Sequence, residues 1–213
     1  MTQTSNDASE LALKKARDAV HRDFDALLSA AQVDSIFNDS LDKLQGQGKF
    51  EDYVPALAEK LARDRLKGAA LASGALSRSV PEVLFVALHN TGRGQMGAAI
   101  MRKLAGGKVN VHSAGTHGVA GTVDPMVAEA MNEIGIDMTT GFSKPLTDEV
   151  LNAADVIVTM GRSTGDVAIP AGARHVDWRI GDPGGGAPLI EVRHIRDEIT
   201  SRVEQLLQEM LPD

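Results

Sequence analysis

The amino-acid sequence predicts an α/β protein: a four-stranded parallel sheet with helices on both faces, preceded by a small three-helix N-terminal domain. From residue 83 onward, short apolar runs alternate with segments of helical periodicity. Such alternation implies right-handed crossovers between parallel strands, with helices packed on the sheet. Before residue 80 the chain shows three helical stripes in succession, and its 213 residues allow one ordinary domain beside a small one.

The N-terminal region predicts a helical bundle over residues 11–68, after a polar start at residues 1–10 that we expect to be disordered. Residues 69–80 are interpreted as a linker, although their Ala and Leu content could extend the last helix. A bundle of this size has a thin core and often depends on a partner. A solubility appendage and a homodimerisation module both remain open. The three helices are predicted at about residues 11–31, 33–44 and 50–66.

The second domain is predicted over residues 81–213 and begins with a buried strand at residues 83–86, a turn and a helix. Further strands are expected at residues 109–112, 155–160 and 174–177. Further helices are expected at residues 125–134, 147–153 and 189–211, the first of them capped by Asp124. In such sheets a ligand lies outside the carboxyl ends of the strands.

Composition excludes several classes of function. The net charge of −7 argues against general binding of nucleic acid or anionic membranes. No apolar run approaches the roughly 18 residues of a membrane helix, and the polar N-terminus lacks a signal pattern, so we expect a cytoplasmic protein. The absence of cysteine excludes disulfides and thiolate metal sites. The six histidines lack paired metal spacing, so we expect neither a metal nor another cofactor.

The turn between the first strand and its helix predicts an anion site. Backbone N–H groups of a glycine-rich turn and a helix N-terminus together favour negative charge. Arg93 adds a planar fork that matches an oxyanion. A bare glycine turn that packs a helix closely on a sheet is the simpler interpretation, but it does not account for Arg93.

Two nucleotide-binding motifs are alternatives to this interpretation of the turn. Gly92-x-Gly94-x-x-Gly97 matches the dinucleotide fingerprint, which also needs an acidic residue about 20 positions later for the ribose. No Asp or Glu occurs from residue 83 to residue 123, so we disfavour a dinucleotide site. No Gly-Lys-Ser/Thr follows the turn, which also excludes a nucleoside-triphosphate P-loop.

Residues 87–93 span the seven positions of a Cys-x5-Arg loop whose cysteine is replaced by Ala87. With this loop, the chain resembles the low-molecular-weight tyrosine phosphatase family over about residues 81–211, and more narrowly the arsenate reductases built on that fold. The N-terminal helices resemble the extension of some actinobacterial members. The supporting motifs are HN-x-GR-x-QM at 89–96, SAGT at 113–116, KPLT at 144–147, VTMG at 158–161, DW at 177–178, DP at 182–183 and VRHIRDEI at 192–199.

The resemblance implies a role for each matching position. Ala87 stands where the nucleophilic cysteine attacks phosphorus or arsenic, Arg93 is the oxyanion ligand, and Asp182 is the general acid. Asn90 should brace the loop through side-chain hydrogen bonds, and His89 should pack on the loop or bond its backbone. The loop residues Leu88, His89, Asn90, Thr91, Gly92, Arg93 and Gly94 bind the anion.

The departures from the family pattern concern the chemistry. The hydroxyl that steadies the thiolate is missing at Gly94, and the relay cysteines are replaced at Arg162 and Ala168. An alanine methyl cannot attack, and no base is evident beside Thr91. We therefore expect a catalytically silent chain that binds phosphate, sulfate or arsenate. The parent activity would use thioredoxin or another thiol donor.

Three hypotheses remain open at this point. The parent is an arsenate reductase, or an active tyrosine phosphatase, whose cysteines were replaced. Alternatively, the gene naturally encodes a silenced relative that binds an oxyanion or a phosphorylated partner. In the third hypothesis, the helical N-terminus is the working part and the α/β domain is a scaffold. The loop residues alone do not choose between arsenate and phosphotyrosine.

Overall fold

The computed structural model describes residues 2–44, 53–117, 121–161, 167–182 and 186–211. Within these residues, seven helices and four strands follow one another. In chain order they are α1 (Thr2–Phe24), α2 (Ala30–Leu44), α3 (Val54–Ala72), β1 (Glu82–Ala87), α4 (Arg93–Ala105), β2 (Asn110–Gly115), α5 (Pro125–Asn132), α6 (Asp148–Ala153), β3 (Val156–Met160), β4 (Arg174–Trp178) and α7 (Leu189–Met210). No helix in these ranges has the length and apolar character needed to cross a membrane.

The chain divides into two compact units. The first, which we call the helical unit, comprises Met1–Arg78 and Thr147–Ala153, and the second, the sheet unit, comprises Ser79–Leu146 and Ala154–Asp213. Helix α6 therefore belongs with the N-terminal helices, although it lies between two strands of the sheet unit along the chain. This grouping differs from the boundaries that the sequence predicts.

The helical unit is built around α3, which packs against α1, α2 and α6. The apolar stripes predicted from helical spacing meet in its core, where Val20, Phe37 and Leu66 are almost fully buried. Gly68 brings α3 close to α6, because a Cβ at this position would overlap the backbone carbonyl of Glu149. A small residue is thus required at this helix crossing.

An arginine is buried where α2, α3 and α6 meet. The side chain of Arg65 is 6% exposed and forms ion pairs with Asp39 at 2.6 Å and Glu149 at 2.8 Å. It also donates to Ser40 Oγ at 2.9 Å. Burial lowers the pKa of Arg65, but these carboxylates outweigh burial and raise it. One buried cation therefore ties three helices together.

Two predicted boundaries of the N-terminal region are wrong. Helix α1 begins at Thr2, whereas we expected a disordered start over residues 1–10. Helix α3 continues to Ala72, into the predicted linker of residues 69–80. The second difference has a simple cause, because the run of Ala and Leu after Gly68 has high helix propensity.

The sheet unit confirms the predicted fold class. Its four strands are all parallel, in the order β2-β1-β3-β4. Every residue of β1 is buried, as the unbroken apolar run predicts for a central parallel strand. Val83 and Phe85 point to the face on which α4, α5 and α7 pack, and their core includes Met96, Val127 and Ile199.

Candidate anion site

The loop after β1 lies at the point where the strand order of the sheet reverses. From β1 the chain crosses to β2 on one side, and it later returns to β3 on the other side. Crevices at the carboxyl ends of strands beside such a point are the usual ligand sites of α/β folds. Gly97 holds α4 close to β1 there, because a Cβ would lie 2.7 Å from the ring of Phe85.

The backbone carbonyls of this loop bond to neighbouring segments of the sheet unit. Four of them accept hydrogen bonds from the segments that follow β2 or precede α6. The pairs are Ala87 with Thr116 N at 3.0 Å, Leu88 with His117 N at 2.9 Å, Thr91 with Asp124 N at 2.9 Å, and His89 with Ser143 Oγ at 2.5 Å. The carbonyls are thereby satisfied and the path of the loop is set.

The backbone N–H groups of the same loop have no such acceptors. Among the described residues, none of the amides from Leu88 to Gln95 donates a hydrogen bond to another group. Three of these amides belong to the first turn of α4, where N–H groups have no partner within the helix. Backbone donors that do not bond to the protein bond to water or to a ligand, so the loop offers a set of donors to an anion.

Asn90 and Gly94 shape the floor of the loop. Asn90 adopts a left-handed backbone conformation, with φ of 54°, which asparagine tolerates better than most residues. Its side chain is 1% exposed, and neither its Nδ2 nor its Oδ1 has a partner within the described part of the chain. The expected bracing of the loop by Asn90 is therefore not seen. A Cβ at Gly94 would lie 2.8 Å from Asn90 Oδ1.

The position of the family nucleophile lies at the end of β1. Ala87 is 4% exposed and lines the cavity above the loop, and a Cβ at Gly94 would lie 3.3 Å from its methyl group. His89 does not pack on the loop as expected: its ring is exposed and lies 6.1 Å from the ring of His117. Among the described residues that line the cavity, only Thr91 carries a hydroxyl group and none carries a thiol.

Arg93 is held in place by residues that follow β3 and β4. Its guanidinium donates through Nη1 to the carbonyl of Ile180 at 2.7 Å and through Nη2 to Asp182 Oδ2 at 2.5 Å. Gly161, with φ of 99°, leaves the space that the guanidinium occupies, because a Cβ there would overlap it. Burial lowers the pKa of Arg93 and Asp182 opposes this effect, but a guanidinium remains charged.

These residues enclose one cavity of about 340 Å³ in the sheet unit. The structure thus brings Arg93, Asp182 and the whole predicted loop together. Of the two relay positions, Ala168 is exposed and does not line the cavity, and Arg162 lies outside the described residues. The cavity is lined by Ala87, Leu88, His89, Asn90, Thr91, Gly92, Arg93, Asp124, Val127 and Asp182.

Three contributions to the site were missed by sequence reasoning. Asp124 was predicted only as a helix cap, and it does cap α5 by accepting from Met126 N at 2.8 Å, but it also lines the cavity. The roles of Gly161 and the Ile180 carbonyl were not anticipated, because both depend on contacts distant in sequence. Within the described ranges, no group of three or more His, Asp or Glu side chains could hold a metal ion.

The family described as low molecular weight phosphotyrosine protein phosphatase matches residues 82–213, more than half of the chain. The chain belongs to this family. The matched region begins with β1 and contains the loop, Arg93 and Asp182.

Similar proteins narrow the branch of the family. An arsenate reductase of Bacillus cereus is 36% identical over 128 residues, which cover 58% of this chain and 91% of that protein. The solved thioredoxin-dependent arsenate reductase of Corynebacterium glutamicum has a TM-score of 0.80 and 32% identity, and covers 93% of this chain and 96% of its own. A solved arsenate reductase in the phosphate binding state has a TM-score of 0.54 and 28% identity, with 62% of this chain and 99% of its own covered. The chain is thus arsenate reductase-like, and its similarity to the Corynebacterium structure extends into the N-terminal helices.

Proposed function

We propose that this chain binds tetrahedral oxyanions, in particular phosphate and arsenate, reversibly in the loop of residues 87–94 and does not convert them. One observation carries the proposal: the loop carbonyls are bonded to neighbouring segments, whereas the amides from Leu88 to Gln95 have no acceptor among the described residues. The buried side chain of Arg93 lines the same cavity. An arsenate reductase of similar fold has been solved in a phosphate binding state, which supports an anion of this shape.

Binding would rest on the backbone and on Arg93. The loop amides would donate to the oxygens of the anion, and the dipole of α4, which begins at Arg93, would add to the attraction. The guanidinium donors that remain beside Ile180 and Asp182 would supply the only formal positive charge among the described side chains that line the cavity. Loss of the thiolate removes a negative charge from the floor, and this favours a bound dianion.

Catalysis would fail at its first step. In the family, a thiolate attacks phosphorus or arsenic, and at Ala87 only a methyl group is present. Reduction of arsenate to arsenite also consumes two electrons, which the reductases obtain from thiols. This chain contains no cysteine that could supply them. Thioredoxin, or another thiol donor, would therefore find nothing to reduce in this chain.

Asp182 would have no leaving group to protonate in a silent chain. Its carboxylate is half exposed and pairs with Arg93. In the parent reaction this aspartate is expected to act as general acid. Here we propose that it instead holds the guanidinium in place from the open side of the cavity.

Isothermal titration calorimetry with phosphate and arsenate tests the binding. We expect each anion to displace the other and Arg93→Ala to abolish the heat of binding. The matched control is Arg102→Ala, since Arg102 lies on the same helix but bonds to the Val111 carbonyl and does not line the cavity. If the intact chain shows no heat with either anion, the proposal is wrong.

Two rate measurements test the silence. We expect no hydrolysis of p-nitrophenyl phosphate and no thioredoxin-dependent reduction of arsenate above the level of Arg93→Ala. A rate that depends on Arg93 would contradict the proposal and would require a nucleophile other than residue 87.

A phosphorylated partner is the second candidate ligand. The cavity, at about 340 Å³, has room for more than one tetrahedral anion and falls in the size range of small-molecule sites. Competition between inorganic phosphate and a phosphotyrosine peptide would distinguish the two candidates: tighter binding of the peptide favours an interaction module. Homodimerisation through the N-terminal helices also stays a prediction, which sedimentation equilibrium would test.

A further inference from the structure

Two aspartates, Asp124 and Asp182, line the same cavity as the anion loop. Asp124 lies at the N-terminus of α5, and Asp182 follows β4. Together with Arg93, they give the described side chains that line the cavity a formal charge of −1, counted as one arginine against two aspartates with His89 neutral. A cavity that binds a dianion would therefore present carboxylate oxygens to it as well as donors.

Only one carboxylate oxygen of Asp124 accepts hydrogen bonds from the described residues. Its Oδ1 accepts from the backbone N–H groups of Met126 at 2.8 Å and Val127 at 3.4 Å. Its Oδ2 accepts no hydrogen bond from any described residue. A helix cap needs only one carboxylate oxygen, so the second remains available to a ligand.

Asn90 supplies a second, independent indication of unmet hydrogen-bonding capacity. Its amide is 1% exposed, and both of its polar atoms are unpartnered within the described residues. Whichever way the amide is oriented, it presents one donor and one acceptor. A ligand that carries both an acceptor and a hydroxyl group would satisfy both atoms. A water molecule ordered by the ligand could do the same.

We propose that Asp124 and Asp182 make this cavity selective for oxyanions that still carry a proton, namely phosphate and arsenate, over sulfate. This inference rests on the proposed function, since it requires that the loop binds an anion. Near neutral pH, phosphate and arsenate retain at least one hydroxyl, whereas sulfate retains none. That hydroxyl donates to a carboxylate, in a charge-assisted hydrogen bond that is stronger than a neutral one.

Sulfate has no hydroxyl group that could donate to these carboxylates. All four of its oxygens are acceptors, so any oxygen beside Asp124 or Asp182 faces a second acceptor without a proton between them. Like charges in close contact disfavour binding. The family loop by itself recognises tetrahedral shape and negative charge, which the three anions share. The discrimination would therefore come from the two carboxylates.

Calorimetric titration of the full chain with phosphate, arsenate and sulfate tests this selectivity. We expect sulfate to bind at least tenfold more weakly than phosphate. In Asp124→Asn, which retains a good helix cap, and in Asp182→Asn, sulfate should bind at least tenfold more tightly than to the unaltered chain. Phosphate loses the charged acceptor there and keeps only the neutral amide oxygen, so its affinity should not gain. The ratio of the two affinities should approach one in the double variant.

The matched control is Asp137→Asn. Asp137 accepts from the backbone N–H of Thr139 at 2.8 Å, in the same sheet unit, but it does not line the cavity. Its variant should keep the selectivity of the unaltered chain. Circular dichroism of each variant separates lost folding from lost selectivity.

The outcomes distinguish this inference from the proposed function. Equal affinity of the unaltered chain for sulfate and phosphate would refute the selectivity and leave oxyanion binding intact. Selectivity that persists unchanged in Asp124→Asn, Asp182→Asn and the double variant would also refute it, because another group would then be responsible. If no anion binds at all, the proposed function fails and the inference fails with it.

Discussion

Replacing Arg65 with alanine should destabilise the helical unit far more than the same change at Arg63. Both arginines lie on α3 and each pairs with two carboxylates, Arg65 with Asp39 and Glu149 and Arg63 with Asp23 and Glu59. They differ in burial, since the side chain of Arg65 is 6% exposed and that of Arg63 is 34% exposed. The main difference between the two sites is therefore burial, to which Arg65 adds a hydrogen bond to Ser40 Oγ.

The expected magnitudes follow from that difference. Removing one partner of a buried pair costs about 3–5 kcal/mol, because the other charge stays buried without compensation. Glu149 is 23% exposed and Asp39 is 45% exposed, so water relieves part of the cost and we expect about 2–4 kcal/mol for Arg65→Ala. For Arg63→Ala we expect about 0.2–1 kcal/mol, as for exposed pairs.

Urea unfolding followed by circular dichroism at 222 nm measures both variants, since more than half of the described helical residues lie in α1, α2, α3 and α6 of the helical unit. Trp178, the only tryptophan of the chain, is buried in the sheet unit, so its fluorescence follows that unit separately. A loss of stability for Arg65→Ala that is no larger than that for Arg63→Ala would refute the reasoning.

The cost of Arg65→Ala should also depend on pH. Burial raises the pKa of Glu149, but the hydrogen bond and ion pair with Arg65 outweigh burial and leave it lowered from 4.5. A lowered folded-state pKa contributes stability above the unfolded pKa and loses it as the pH falls through the folded value. The difference between the unaltered chain and Arg65→Ala should therefore be full above about pH 5 and narrow below about pH 4. A constant difference down to pH 3 would contradict this account.

Three further substitutions test the site. Gly161→Ala should weaken phosphate binding at least tenfold in calorimetry, because a Cβ would occupy the space of the Arg93 guanidinium. Unchanged affinity would show that Arg93 does not need this position to bind the anion. Gly97→Ala should destabilise the sheet unit by about 1–3 kcal/mol, because the added methyl group overlaps the Phe85 ring. Urea unfolding followed by tryptophan fluorescence measures this loss, and a gain in stability would show that the ring moves freely. Ala87→Cys should hydrolyse p-nitrophenyl phosphate, measured as phosphate release, without thiol-dependent arsenate reduction; an inactive thiol would mean that the loop amides do not converge on it.

The sheet and the anion loop could be predicted because their signals are local. An unbroken apolar run predicts β1, and the glycines and arginine at the start of a helix predict the loop that the structure places at the end of β1. The seat of Arg93 could not be predicted, because Ile180 lies 87 residues away along the chain. Only the fold brings that carbonyl and Gly161 to the guanidinium.

The N-terminal region shows a different limit of sequence reasoning. The polar composition of residues 1–10 predicts a disordered start, whereas α1 begins at Thr2. Thr, Ser, Asn and Asp rank low in helix propensity, so the local sequence alone does not account for this first turn. The linker boundary has a different cause: the Ala and Leu residues after Gly68 have high helix propensity, and α3 continues to Ala72. The partner of Arg65 was not predictable at all, since Glu149 lies 84 residues later, in what the sequence presents as another domain.

The placement of α6 has a consequence for any exchange of parts among these proteins. Because residues 147–153 belong to the helical unit, the backbone passes between the units three times, and no single cut separates them. Deleting residues 1–78 would leave Glu149 behind without its arginine. A chimera that transplants the N-terminal helices onto a shorter reductase must therefore carry a matching α6 with it, and coordinated change at two distant stretches is the trace that this architecture should leave in evolution.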